Sequence, residues 1–238
     1  FHRPRACGIM PAMQRVRVKI EGLRDAKTAL RIAQMGADAI GLVFADSPRW
    51  VSPEQARQIV QALPPWVATV GVFVNADAAL INRVVERTGI GCVQLHGDEP
   101  PDLLAQVACP CIKAFRVRDE SWLAQVHAWM AGLGEGVAPA GILLDAYDPS
   151  ARGGTGTRFN WDYVAAARAA GALKGLEPII LAGGLDASCV GGAIDLVQPW
   201  AVDVASGVEK APGVKDLGKV EAFIRATREG KPLRSDFW

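Results

Sequence analysis

Short apolar runs recur along this chain, and after each comes a longer stretch whose apolar residues fall three or four apart. The short runs read as strands: Val16–Ile20, Ala39–Phe44, Val67–Val74, Cys92–His96, Ile112–Val117, Gly141–Ala146, Pro178–Leu181 and Ala201–Ala205. They are rich in Val, Ile and Leu, as strands buried on both faces are. The longer stretches read as helices: Asp25–Met35, Pro53–Leu63, Asp77–Arg87, Pro101–Val107, Ser121–Met130, Trp161–Ala170, Ala187–Leu196 and Asp216–Thr227. Ser52-Pro53 supplies an N-cap followed by proline at the first helical position. Gly36, Gly89 and Gly171 stand where helices should stop. Strand–helix alternation over about 215 residues predicts an α/β fold, a single (β/α)8 TIM barrel over 15–238. A doubly wound open sheet is the rival, although no Gly-x-Gly-x-x-Gly follows the first strand to support a dinucleotide site. Residues 1–14 show no period and read as an irregular N-terminal extension outside the barrel.

Composition narrows the function. The chain has 238 residues, half of them hydrophobic, and a net charge of +1. That balance offers no one-signed field for nucleic acid. No apolar run approaches the ~20 residues of a membrane span, and no secretory core is evident. The expectation is a cytoplasmic protein, monomer or homodimer, without nucleic-acid or membrane partners. Cysteines stand at 7, 92, 109, 111 and 189. Cys109-Pro110-Cys111 lacks a second close Cys or His pair, so neither a metal site nor a disulfide framework is expected.

In such barrels chemistry gathers at the C-terminal ends of the strands. Those ends read Glu21, Asp46 to Arg49, Asn75, His96, Arg116, Asp145, Gly183-Gly184 and Ser206-Gly207. A further glycine run, Gly153-Gly154-Thr155-Gly156, follows the sixth strand. Bare backbone N–H groups at glycine turns suit phosphate, which points to a small phosphorylated substrate. Glu21 and Asp145 form a carboxylate pair able to take and give a proton. Mutual repulsion across one cavity would favour a single proton shared between them. Arg49 is equally readable as a bidentate carboxylate grip or an exposed loop arginine. His96 is equally readable as a ligand-facing group or a hydrogen-bonded structural histidine.

Taken in order, Val18-Lys19-Ile20-x-Gly22-Leu23, Ser47-Pro48-Arg49, Val93-Gln94-Leu95-His96-Gly97, Leu144-Asp145, Gly153-Gly154-Thr155-Gly156, Leu181-Ala182-Gly183-Gly184-Leu185 and Val202-Asp203-Val204-Ala205-Ser206-Gly207-Val208-Glu209 resemble the phosphoribosylanthranilate isomerases of tryptophan biosynthesis. The resemblance runs from about Arg15 to Thr227. It implies a barrel that converts N-(5-phosphoribosyl)anthranilate to 1-(2-carboxyphenylamino)-1-deoxyribulose 5-phosphate by an Amadori rearrangement, without cofactor. It also implies Asp145 as general acid, Arg49 on the anthranilate carboxylate, and phosphate held near Gly154, Gly183, Gly184, Ser206 and Gly207; His96 stays a substrate-binding candidate on its place at a strand end. One position departs. The family carries Lys-Ile-Cys-Gly, with cysteine as base, where this chain has Lys19-Ile20-Glu21-Gly22; Cys7 lies upstream of the pattern. Ala205, where serine is common, and Asn160, in place of aspartate, are lesser departures. Two readings follow: an isomerase with Glu21 as base, or an impaired or repurposed barrel that binds phosphorylated anthranilate-like ligands without efficient turnover. A third, action on a related aminoaldose phosphate, is weakened by the presence of Arg49.

Overall fold

The computed structural model describes residues 15–146 and 159–229. The 1–14 extension, with Cys7, and the Gly153–Gly156 run, with Gly154, lie outside the described residues.

Eight parallel strands close into a barrel: β1 (Arg17–Glu21), β2 (Ala39–Val43), β3 (Ala68–Phe73), β4 (Cys92–Leu95), β5 (Cys111–Val117), β6 (Gly141–Ala146), β7 (Ile179–Leu181) and β8 (Ala201–Val204). Closure comes from β1 pairing with β8, where Lys19 lies opposite Asp203. Outside run α1 (Ala26–Gln34), α2 (Pro53–Ala62), α3 (Ala78–Thr88), α4 (Trp122–Ala131), α5 (Asp162–Ala169), α6 (Val190–Val197) and α7 (Leu217–Glu229). Between β4 and β5 the expected helix is a 3-10 turn, Pro101–Gln106. Only Leu103 and Leu104 are buried there, too little apolar surface to hold a full helix against the barrel. Ser52 and Gln55 form a reciprocal capping box at the start of α2, and Gly89 ends α3 in the left-handed conformation.

Period-2 alternation sorts the strand residues into two cores. Val18 and Ile20, Val93 and Leu95, Ile142 and Leu144, Val202 and Val204 face outward and pack under the helices. Val70, Ile112, Ala114, Leu143, Ile180 and Ala201 fill the barrel interior. The same alternation sends Lys19 and Glu21, Gln94 and His96, Asp145 and Asp203 inward. The upper interior is therefore polar, while the lower interior is apolar and closed by Trp200, on whose ring the Arg17 guanidinium stacks at 4.1 Å.

One element had no sequence forecast. After β8 a 3-10 turn, Ser206–Val208, leads into an antiparallel hairpin of β9 (Glu209–Ala211) and β10 (Val214–Lys215). The hairpin brings Glu209 and Lys215, both buried, to the barrel rim.

Candidate active site

Lys19 is the hub of the barrel interior. Its Nζ donates to Glu21 Oε2 at 2.7 Å, to Asp203 Oδ2 at 2.7 Å and to Gln94 Oε1 at 2.9 Å. All three donor positions of the ammonium are thus filled. Burial works against the cation, but Asp203 and Glu21 outweigh it and hold Lys19 protonated above its ordinary range. Glu21 lies across Gly41, where a Cβ would come within 2.9 Å of the Glu21 Cγ. Burial alone would raise the Glu21 pKa; the positive charge of Lys19, helped by His96, instead brings it down to about 2. Asp203 is deeper and its Oδ1 has no partner among the described residues. Burial, reinforced by Glu21, pushes it up to about 7 despite Lys19. Two carboxylates share one lysine, and the deeper, half-satisfied one keeps its proton to higher pH.

Gln94 carries this cluster across to Asp145. With Oε1 committed to Lys19, its amide nitrogen faces Glu21 Oε2 at 3.2 Å and His96 Nδ1 at 2.8 Å. His96 Nε2 lies 3.0 Å from Asp145 Oδ2. The amide orientation makes Nδ1 the acceptor, so the tautomer that satisfies every partner carries its proton on Nε2 and donates to Asp145. Burial lowers the imidazole's proton affinity, and the adjacent Asp145 more than reverses that, so His96 titrates above its ordinary value. The expected proton sharing between Glu21 and Asp145 is replaced by a different pairing. Lys19 neutralises Glu21, and the side chain hydrogen-bonded to Asp145 is His96. Of the two readings of His96, the geometry gives a hydrogen-bonded link between the two carboxylates.

Arg49 is buried at the rim, not an exposed loop arginine. Its Nε and Nη2 donate to Glu209 Oε1 and Oε2 at 2.9 and 2.8 Å, and Lys215 Nζ reaches Glu209 Oε1 at 2.8 Å. This forked edge faces a protein carboxylate, which fixes the plane of the guanidinium. The side chain crosses Gly22, where a Cβ would sit 2.6 Å from the Arg49 Cδ and where φ is +82°. Only glycine meets both demands. Arg116, next to Asp145 in the β5–β6 register, donates from Nη2 to the His96 carbonyl at 3.1 Å.

The glycine turns adjoin these groups. A Cβ at Gly183 (φ +82°) would lie 2.5 Å from the Ala146 nitrogen and 3.1 Å from Asp145 Oδ1, so the turn after β7 runs against the end of β6. Gly184 also has positive φ, at +63°. Gly207, flanked by Ser206, is packed on the Leu185 carbonyl, with no room for a side chain. The turns after β7 and β8 therefore touch each other beside Asp145.

The structure thus gathers Glu21, Asp145, His96, Arg49, Gly183, Gly184, Ser206 and Gly207 at one end of the barrel. Sequence reasoning passed over Lys19, Gln94, Asp203, Glu209 and Lys215. No group of three or more metal-ligating side chains occurs among the described residues, and among them no helix is long and apolar enough to cross a membrane. Cys92, Cys109, Cys111 and Cys189 are free thiols.

The sequence pattern of the N-(5'-phosphoribosyl)anthranilate (PRA) isomerase family matches residues 18–226. The N-(5'-phosphoribosyl)anthranilate isomerase of Geobacter metallireducens is 49% identical over 214 residues, covering 90% of this chain and 99% of the relative. The crystal structure of the Thermotoga maritima phosphoribosylanthranilate isomerase, an enzyme also described as dimeric, superposes with a TM-score of 0.78 at 38% identity, covering 89% of this chain and 98% of that one. A phosphoribosylanthranilate isomerase in complex with reduced 1-(o-carboxyphenylamino)-1-deoxyribulose 5-phosphate superposes with a TM-score of 0.74 at 37% identity, with the same coverage. Agreement in sequence along the whole barrel, and in fold with solved members, shows that the chain belongs to the N-(5'-phosphoribosyl)anthranilate isomerase family of tryptophan biosynthesis.

Proposed function

We propose that this isomerase works with Asp145 as general acid and Glu21 as general base, on a substrate anchored by Arg49 and by the turns at Gly183-Gly184 and Ser206-Gly207. Asp145 gives its proton to the ring oxygen as the C1′–O bond breaks, and the anthranilate nitrogen supplies the electron pair that makes the iminium. Glu21 then takes the C2′ proton. The C–H electrons form C1′=C2′ and return the iminium pair to nitrogen. The resulting enolamine gains a proton at C1′ and loses one from the C2′ hydroxyl, which leaves the ketose. His96, hydrogen-bonded to Asp145 Oδ2 and held in turn by Gln94, fixes the orientation of the acid. The ligand class is that of the family member bound to reduced 1-(o-carboxyphenylamino)-1-deoxyribulose 5-phosphate. The observation that carries the assignment is the continuous hydrogen-bonded path from Glu21 through Gln94 and His96 to Asp145.

Lys19 bears on the rate. A carboxylate titrating near 2 is fully ionised at neutral pH but is a weak base. This supports a second reading, a barrel that binds its substrate well and turns it over slowly at proton abstraction. Fluorescence of substrate consumption on Glu21→Gln separates the possibilities. A fall in kcat of ~10²–10⁴-fold with KM held within a few-fold fits Glu21 as base. Undiminished kcat removes that role. A gain in kcat on Glu21→Cys favours the slow-turnover reading.

A further inference from the structure

Glu21 reaches its partners from the top of β1, and the group beneath it is not a passive neighbour. Lys19 sits two residues earlier on the same inward face, 2.7 Å from Glu21 Oε2. It is held from two other strands, by Asp203 on β8 and Gln94 on β4. A lysine side chain ordinarily has rotamer freedom to lose. Here three acceptors remove it, and the ammonium becomes a fixed charge. We infer that Lys19 is a positioning residue whose anchored ammonium sets both the ionisation and the orientation of whatever acid occupies position 21.

The inference rests on Glu21 being the base, and it names what governs that base. The charged and titratable groups facing the cluster are Glu21 on β1, Asp203 on β8, Cys92 and His96 on β4, and Lys215 from the hairpin. Asp145 lies one hydrogen bond farther, behind His96. Lys19 alone among them is a cation in direct contact with the Glu21 carboxylate. Lys215 is engaged by Glu209 at 2.8 Å, and His96 reaches Glu21 only across Gln94. The same geometry acts differently on acids of different kinds at this position. A buried cation lowers the pKa of a thiol as it does that of a carboxyl group. A cysteine at 21 would gain population as thiolate. A glutamate, already ionised at neutral pH, gains no population and loses base strength.

The test is a direct titration of Glu21, followed by NMR on protein with 13C-labelled glutamate side chains and assigned by the signal missing in Glu21→Gln. Lys19→Met alone strands two acids, so Lys19→Met/Asp203→Asn is the working variant, with Asp203→Asn and Lys19→Arg as controls. In the unaltered protein Glu21 stays ionised at pH 4.5, where exposed glutamates are roughly half protonated. In Lys19→Met/Asp203→Asn its midpoint rises from about 2 to above the ordinary carboxylate value, while Asp203→Asn and Lys19→Arg leave it low. The acid limb of the kcat profile rises with it if Glu21 is the base. A Glu21 that titrates with the surface glutamates in the unaltered protein, or stays low in the double variant, overturns the role of Lys19. A moved midpoint with an unmoved kcat profile upholds Lys19 and removes Glu21 from catalysis, so the two readings fail separately.

Discussion

Gly183→Ala tests how tightly the turn after β7 is fitted to the end of β6. Two costs follow from the structure. The native φ of +82° is left-handed, which costs a residue with a Cβ about 1–2 kcal/mol. The new methyl would also stand 2.5 Å from the Ala146 nitrogen and 2.9 Å from its Cβ, and overpacking against backbone adds about 1–3 kcal/mol. The expected loss of stability is therefore about 2–5 kcal/mol, read by urea denaturation. The site bears the consequence, because the atoms that must yield belong to the residue after Asp145, and Asp145 Oδ1 is itself only 3.1 Å from the new carbon. A displacement near 1 Å costs on the order of 100-fold in rate. Gly171→Ala is the matched control. Gly171 has a φ of +71°, and a Cβ there meets nothing within 4 Å, so it bears only the conformational cost, about 1–2 kcal/mol, and keeps full kcat. Equal stability losses in the two variants, with kcat intact in both, would refute the claim that the turn is wedged against Asp145.

Three further outcomes follow from the buried ion pairs. Lys113 and Glu99 have side chains only 3% and 1% exposed and meet at 2.8 Å; Lys113→Met should cost about 3–5 kcal/mol in urea unfolding, because Glu99 is left buried and charged. Arg49→Lys keeps the charge but loses the fork held by Glu209, and steady-state kinetics should show KM up by roughly 10–100-fold with kcat changed less. For pH, the Asp203 pKa is raised by burial to about 7, so the folded state binds the extra proton and stability falls as pH climbs from about 4 through 7. Glu21, lowered to about 2, acts in the opposite sense: its contribution is complete above about 4.5 and is lost only as pH drops toward 2. Asp203→Asn should flatten the stability profile between pH 5 and 8 in thermal melts, and an unchanged slope would contradict the assignment of the raised pKa to Asp203.

The barrel was legible because burial on two faces forces Val, Ile and Leu into short strands, and the helices between them carry their own stop signals. All eight strands fall within a residue or two of their expected bounds. The strand-end candidates were legible for the same reason, since topology alone brings strand ends together. What stayed hidden is the identity of partners. Arg49 and Glu209 are 160 residues apart, and nothing local to Ser47-Pro48-Arg49-Trp50 shows that a protein carboxylate will hold the guanidinium. The hairpin that delivers Glu209 did leave a mark in Pro212-Gly213, a turn pair between two short segments. Lys19 and Asp203 also left one. Each is a lone charge between β-branched neighbours, in Val18-Lys19-Ile20 and Val202-Asp203-Val204, and alternation turns both into the barrel. A charge on that face needs an opposite charge, and β1 and β8 become neighbours only when the barrel closes.

That last dependence joins the fold to the chemistry. Asp203 anchors Lys19 across the β1–β8 seam, 184 residues apart in sequence, and the two lie opposite each other in the register that closes the barrel. A one-residue slip of that register would turn Asp203 outward among the helices and leave Lys19 buried with Glu21 and Gln94, one carboxylate short. The ion pair therefore penalises misregistered closure as well as fixing the charge beneath Glu21. Glu21 thus has a charged neighbour that does not move, because a closed sheet makes its first and last strands hold each other. Substituting the acid at position 21 leaves this support in place. Substituting its support disturbs the acid and the seam together, which is why the test of Lys19 pairs its removal with that of Asp203.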